Sequence, residues 1–366
     1  VWALMVPTAM AYAVVAGVPV EYGLYAAALA LVAYAVLGTS RQVVTGPMAA
    51  VAAISAAVVT PVAAGRGLDV YIALSAVLAL LVGALFILAG LFRLGFIASF
   101  LAKPVLRGLI VALVIFIMVG QADKLVGVEA TGGNTFACFA DIFRQFGAWS
   151  WLTLAVGVGC LALLFLLKKF APRIPASLTV MVLAIIFSSI FNLAEHGVQV
   201  VGEVPSGLPA FSLAGVTLNN VIELIPGALA ILLVGYAISI AVAKTYADKH
   251  HYRIDANQEM IALGAANLGS GFLQGFAVVA SLTKTAANDE AGGKTPLVLI
   301  ACSILTFLTL FLLTGLLRDL PDATLGAIVI YVLWDLVDFK HFKRYYRVSR
   351  TDMTLALVSF FSVLIA

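Results

Sequence analysis

Residues 275–294 read GFAVVASLTKTAANDEAGGK. A short apolar run, FAVVA, gives way to Ser281, Thr283, Lys284, Thr285 and Asn288 within two helical turns. The surrounding chain is 63% hydrophobic and 11% charged. A soluble domain of this size carries about 25% charged residues, so the composition specifies a protein that crosses the membrane many times. A polar cluster in such a chain cannot face lipid, where each unpaired group costs several kcal/mol. The pattern predicts a broken membrane element: extended backbone, then a short helix that starts near the middle of the bilayer. Such a helix start offers unpaired N–H groups and a partial positive charge. Lys284 lies in its first turn, which predicts a pocket for a small anion.

A second break lies near the start of the chain, where residues 38–51 read GTSRQVVTGPMAAV. The extended run QVVT ends at Gly46-Pro47, and Pro47 is expected at the first helical position of a half-length helix over 48–62. Two interrupted helices, one in each half of a transporter-like chain, point to a central binding site. The alternative is a pair of ordinary kinks lined with small residues. The mean hydropathy is +1.12. Cys138, Cys160 and Cys302 have no metal-ligand spacing. The sequence shows no nucleophile–base pair, Walker loop or dinucleotide fingerprint, so neither an enzyme nor a cofactor is expected. The net charge of +3 forms no basic patch, which argues against nucleic acid as a partner.

Spans are expected at 1–17 (interrupted by Pro7), 23–37, 48–62, 70–91, 96–120, 150–167, 176–191, 222–245, 258–273, from Ser281, at 296–314 and 324–338, and from Thr351. Residues 121–149 and 244–257 read as polar loops, and 192–221 divides the chain into halves. With Val1 on the cytoplasmic side, most of the 21 Lys plus Arg fall at the cytoplasmic edge and only Arg66, Lys124, Arg144 and Arg318 fall outside, as the positive-inside rule requires. The first span is already under way at Val1 and the last apolar run is cut at Ala366, so natural sequence is expected on both sides. The basic and aromatic stretch from Trp334 to Arg350 is expected to anchor at the membrane interface, in contact with lipid.

Three blocks resemble one family. VPTAMAYAVVAGVPVEYGLYAA (6–27) and YAVLGTSRQVVTGPMAAVAAIS (34–55) look like the signature region of the SulP, or SLC26, anion transporters. YADKHHYRIDANQEMIALGAANLGSGFLQGFAVVASLTKTAANDEAGGKT (246–295) agrees with them. The resemblance implies an all-α polytopic membrane fold of two inverted sets of seven spans, with half helices at spans three and ten. It implies a core domain at 1–95 and 222–320, and a gate domain at 96–221 and 321–366. It further implies a homodimer, a cytoplasmic STAS domain following the last span, and a bacterial inner membrane. The implied activity is secondary transport of sulfate, bicarbonate, chloride or a dicarboxylate by alternating access.

Carried over position by position, Thr8 and Tyr12 would line the site, Met48 would cap span three, and Thr283-Lys284 match the family's Ser-Arg or Thr-Arg pair. Ser281 completes the expected set as the N-cap of span ten. Lys in place of Arg keeps the charge but loses the planar fork. Ile238 stands where many bacterial members have an acid in span eight, so no proton- or sodium-coupling carboxylate is expected there. For each residue a plainer reading stands beside this one: a snorkelling Lys284, a helix-capping Thr283, a core-filling Met48. Asp289 and Glu290 are expected at the cytoplasmic rim, Glu259 in a structural role, and His250 and His251 in solvent. The competing functions are an uncoupled anion channel of the same fold and a nonconducting, anion-responsive membrane sensor.

Overall fold

The computed structural model describes residues 1–99, 103–128, 135–171 and 174–334, with positions 354, 357, 358 and 360 beyond them. Residues 100–102 of the fifth expected span, Arg173, the basic stretch 340–350 and nearly all of the thirteenth expected span lie outside the described residues.

In chain order the first elements are α1 (Trp2–Ala16), α2 (Glu21–Leu37), β1 (Thr45–Gly46), α3 (Ala49–Ala63), α4 (Leu68–Leu91) and α5 (Lys103–Gly120). There follow α6 (Ala122–Val126), α7 (Thr135–Arg144), α8 (Trp151–Phe170), α9 (Ala176–Phe191), α10 (Leu218–Lys249) and α11 (Ala256–Phe272). The last are β2 (Val279–Ala280), α12 (Leu282–Glu290), α13 (Leu297–Leu308) and α14 (Asp322–Trp334). A π turn and a 3-10 turn extend α13 to Leu317. Among the described residues, four helices are long and apolar enough to cross a membrane: α4, α8, α10 and Leu297–Leu317. The fold is an all-α polytopic membrane fold.

Internal contacts divide the chain into two units. The first comprises Val1–Phe100 and Pro205–Thr314, and the second Leu101–Val204 and Gly315–Ala366. The first unit is built on α4 against α11. A Cβ placed on Gly83 would sit 2.9 Å from the carbonyl oxygen of Gly264, and one placed on Gly264 would sit 2.7 Å from that of Gly83. Only glycine lets the two backbones approach this closely, the usual helix contact where lipid supplies no hydrophobic drive. In the second unit α8 packs on α14, where Phe165 meets the rings of Tyr331 and Trp334.

Several local expectations are corrected. Pro7 does not interrupt the first helix, and α1 runs through it. The Thr8 hydroxyl donates to the carbonyls of Leu4 (2.7 Å) and Met5 (3.2 Å) within the same helix. Pro47 is not the first helical residue. Met48 holds the N-cap position with extended backbone and α3 begins at Ala49. The expected loop at 121–149 contains α6 and α7. The helix α10 starts at a Thr217–Asn220 capping box and continues to Lys249, taking in the first part of the expected loop at 244–257. Ala243, Ala247 and the Lys residues there are good helix formers, and polarity alone did not end the helix.

Candidate functional site

The two breaks meet. Thr45 pairs with Ala280 and Gly46 with Val279 in a two-residue antiparallel ladder. Gly46 has φ +150° and faces Met5, whose Cε would lie 3.1 Å from an added Cβ, so a side chain there would be both strained and crowded. All four residues are buried, and buried backbone polar groups need partners. Polar side chains from neighbouring helices supply them. Asn267 on α11 donates to the Val278 carbonyl (2.8 Å) and accepts from the Val278 amide (2.9 Å). The Ala280 amide donates to Ser239 Oγ on α10 (3.1 Å), and the Ser281 amide to the Val44 carbonyl (2.9 Å).

On α12 the buried face is Lys284, Thr285 and Asn288, a spacing of one helical turn. Each of these side chains engages the segment that leads into α3. Asn288 Nδ2 donates to the Gln42 carbonyl (2.8 Å), the Val44 amide donates to Thr285 Oγ1 (3.0 Å), and Lys284 Nζ donates to the Pro47 carbonyl (2.6 Å). Lys284 Nζ also lies 5.4 Å from the centre of the Tyr12 ring on α1, within cation–π range. Lys284 is only 1% exposed, and no carboxylate among the described residues pairs with it. Asp289, the nearest acid in sequence, instead accepts from Lys249 (2.6 Å) and contacts His250. His250 is exposed, as expected, and pairs with Asp289 at the surface.

Of the candidate residues, Tyr12 and Lys284 come into direct contact. Met48 is buried at the N-cap of α3, whose first turn has no side-chain cap. Ser281 is the N-cap of α12, but its hydroxyl reaches the Lys284 amide only at 3.5 Å and lies 3.2 Å from Thr283 Oγ1. The first-turn amides of α3 and α12 are thus weakly satisfied, and both helix starts present partial positive charge. Thr8 is buried, with its hydroxyl bonded within its own helix. Thr285, Asn288, Asn267 and Ser239 escaped the sequence reading as site-building residues. The available signal was a small polar side chain inside an otherwise apolar span. Ile238, beside Ser239 on α10, is buried.

A second polar network ties down the approach to β1. Glu259 on α11 is 3% exposed. It accepts from the Thr39 amide (2.8 Å), the Thr39 hydroxyl (2.6 Å), the Ser40 amide (2.9 Å) and the Tyr34 hydroxyl. Tyr252 donates to Gln42 Oε1 (2.7 Å) and accepts from the Arg41 amide (3.1 Å). The segment 39–47 is therefore held along its length by α11, the α10–α11 connection and α12.

A buried lysine with no carboxylate partner among the described residues, beside the starts of α3 and α12, is set in an all-α polytopic membrane fold. The chain belongs to the sulfate permease family, SulP or SLC26, whose pattern it matches over residues 1–359. It is 36% identical over 362 residues to a probable sulfate transporter of Mycobacterium tuberculosis, covering 99% of this chain and 64% of that relative's length. The structure of murine Solute Carrier 26 family member A9, an anion transporter in the inward-facing state, superposes with TM-score 0.92 at 26% identity, over 99% of this chain and 63% of that one. The transmembrane domain of the cyanobacterium bicarbonate transporter BicA shares the fold, with TM-score 0.89 at 19% identity over 100% of this chain and 92% of that one. Among the described residues no group of His, Cys, Asp and Glu is arranged to hold a metal ion.

Proposed function

We propose that the protein of which this chain is part performs secondary transport of small inorganic or organic anions by alternating access. The observation that carries this reading is Lys284: a buried amine at the start of α12, without a carboxylate partner among the described residues, reaching the residue just ahead of α3. An anion is its natural counter-charge, and the amides at the starts of α3 and α12 supply further donors. In this reading α3 and α12 are half helices of a seven-plus-seven inverted repeat. The first unit is the core domain and the second the gate domain. Thr8, Tyr12, Met48, Ser281, Thr283 and Lys284 surround the substrate. Sulfate, the anion named for the mycobacterial relative, is the first to test, followed by bicarbonate, chloride and dicarboxylates. A homodimer in a bacterial inner membrane, with a STAS domain in the full-length protein, completes the proposal.

Ile238 favours a second reading. With an aliphatic side chain at the span-eight position, the same fold would conduct anions without coupling. The test is radiotracer flux in proteoliposomes. Saturable counterflow of labelled sulfate, competed by one of the other anions, supports a carrier. Conductance without saturation supports the channel, and neither result supports the sensor. Uptake locked to proton or sodium flux at a fixed ratio would contradict the role given to Ile238.

A further inference from the structure

The second unit contains an apolar groove of about 510 Å³ between α8 and α9, within the size range of ligand pockets. Its walls include Leu152, Val156 and Leu163 on α8 and Val180, Phe187 and Ile190 on α9. Small residues, Ala155 and Gly159 on one helix and Ala184 on the other, leave the space between the walls unfilled. An added Cβ at Gly159 would meet no atom within 4 Å. The helix α8 is one of the four long enough to cross a membrane and is mostly unburied.

The groove's length and one of its ends identify what fills it. From Leu152 to Leu163 there are eleven residue steps, about 16 Å along the helix. Half of a hydrocarbon core about 30 Å thick is about 15 Å. The groove is therefore one leaflet deep. At its Leu152 end lies an aromatic cluster: Phe146 is 4.8 Å from Trp149 and 5.8 Å from Trp151, ring centre to ring centre, and Trp151 is 63% exposed. Tryptophan collects at the headgroup level of a bilayer. The aromatic end thus marks the membrane surface, and the groove descends from it to about the midplane.

We propose that this groove holds one acyl chain of a phospholipid from the leaflet on the Trp151 side, its glycerol region resting against the aromatic cluster and its chain end near Leu163 and Val180. This site does not depend on the identity of the transported anion.

The test uses the whole protein, extracted in detergent and washed until its phospholipid content is constant. Gly159→Phe places a ring in open space and fills the groove. Val158→Phe places the same ring at a position that is 51% exposed and outside the groove lining. Wild type and Val158→Phe should retain one phospholipid per chain more than Gly159→Phe, measured as lipid phosphate against protein. Should Gly159→Phe fail to fold, the wild-type thiol at Cys160, which lines the groove, reports directly. Dioleoyl phosphatidylcholine added back at about ten times its dissociation constant should slow N-ethylmaleimide modification of Cys160 by about tenfold and leave Cys138 unchanged. Equal lipid content in all three proteins, or no protection of Cys160, would overturn the assignment. So would a change of oligomeric mass in Gly159→Phe with lipid content unchanged, which would make the groove a contact between copies of the chain.

Discussion

Replacing Lys284 with methionine separates the function of the ammonium from its place in the fold. The side chain keeps nearly the same length and volume, so no cavity opens between α12, α1 and the start of α3. One hydrogen bond disappears, the 2.6 Å bond to the Pro47 carbonyl. An unpaired buried carbonyl costs about 1–3 kcal/mol. Against this stands the burial of an ammonium that is 1% exposed and has no carboxylate beside it among the described residues; that penalty is several kcal/mol per ion even after relaxation. The second term is the larger, so Lys284→Met should melt at or above the wild-type temperature. Anion binding should move the other way. A charge-assisted hydrogen bond contributes about 1.5–3 kcal/mol, which corresponds to roughly 10–150-fold in Kd. The assay is calorimetric titration of detergent-purified protein with the anion that competes best in flux measurements, with thermal melting recorded on the same samples. Unchanged Kd in a folded Lys284→Met would refute the site. A fall in melting temperature would refute the claim that the ammonium is a cost to the fold.

Lys284→Arg should retain anion binding but alter the ranking of planar against tetrahedral anions, because the guanidinium offers a fixed fork; a competition panel reads this. Glu259→Ala leaves the Thr39 and Ser40 amides without their acceptor and should destabilise the protein by about 3 kcal/mol or more, whereas Glu259→Gln, which keeps an acceptor oxygen, should lose less; chemical or thermal unfolding distinguishes them. Gly264→Val should be among the most damaging single changes, since even a Cβ would lie 2.6 Å from Ile87, and its folded yield in detergent should collapse. Cysteines placed at Lys249 on α10 and Asp289 on α12, which pair at 2.6 Å inside the first unit, should tolerate a crosslinker without loss of flux; a block would contradict treating that unit as one moving body.

The interrupted elements were legible because their signals are local. Gly46-Pro47 stops a strand, and Ser281 to Asn288 cannot face lipid. Partnership was not legible. Lys284 and Pro47 are separated by 237 positions, and no periodicity in either stretch selects the other. The sequence therefore pointed to an anion near Lys284 without revealing that the ammonium bonds a carbonyl of the opposite break. Thr285 and Asn288 were visible as polar residues, but their acceptors and donors lie at 42 and 44. Helix ends were misjudged where polarity and helix propensity disagree. Residues 244–249 are charged and nevertheless helical, and α7 is an amphipathic helix inside what composition marks as a loop. Pro7 was read as a break, although a membrane helix can continue through a proline, as α1 does.

The way the two breaks are satisfied explains why Lys284 stands apart from the other polar residues of the core. Opening a helix inside a membrane exposes backbone groups, and several buried polar side chains nearby answer one of them, whereas Thr45 Oγ1 and Ser55 Oγ find no partner among the described residues. Asn267 serves both polar groups of Val278, Ser239 serves the Ala280 amide, Thr285 the Val44 amide and Asn288 the Gln42 carbonyl. These are neutral groups matched to neutral groups, as a stable buried network requires. A neutral donor such as Gln would serve the Pro47 carbonyl without a buried charge. Lysine brings three donors and, when protonated, a full charge to one carbonyl and the face of one ring. That excess is unfavourable for the fold and has no structural task to offset it. Under the proposed function the charge is provision for an anion arriving between the two helix starts, the point at which the fold would give up stability for function.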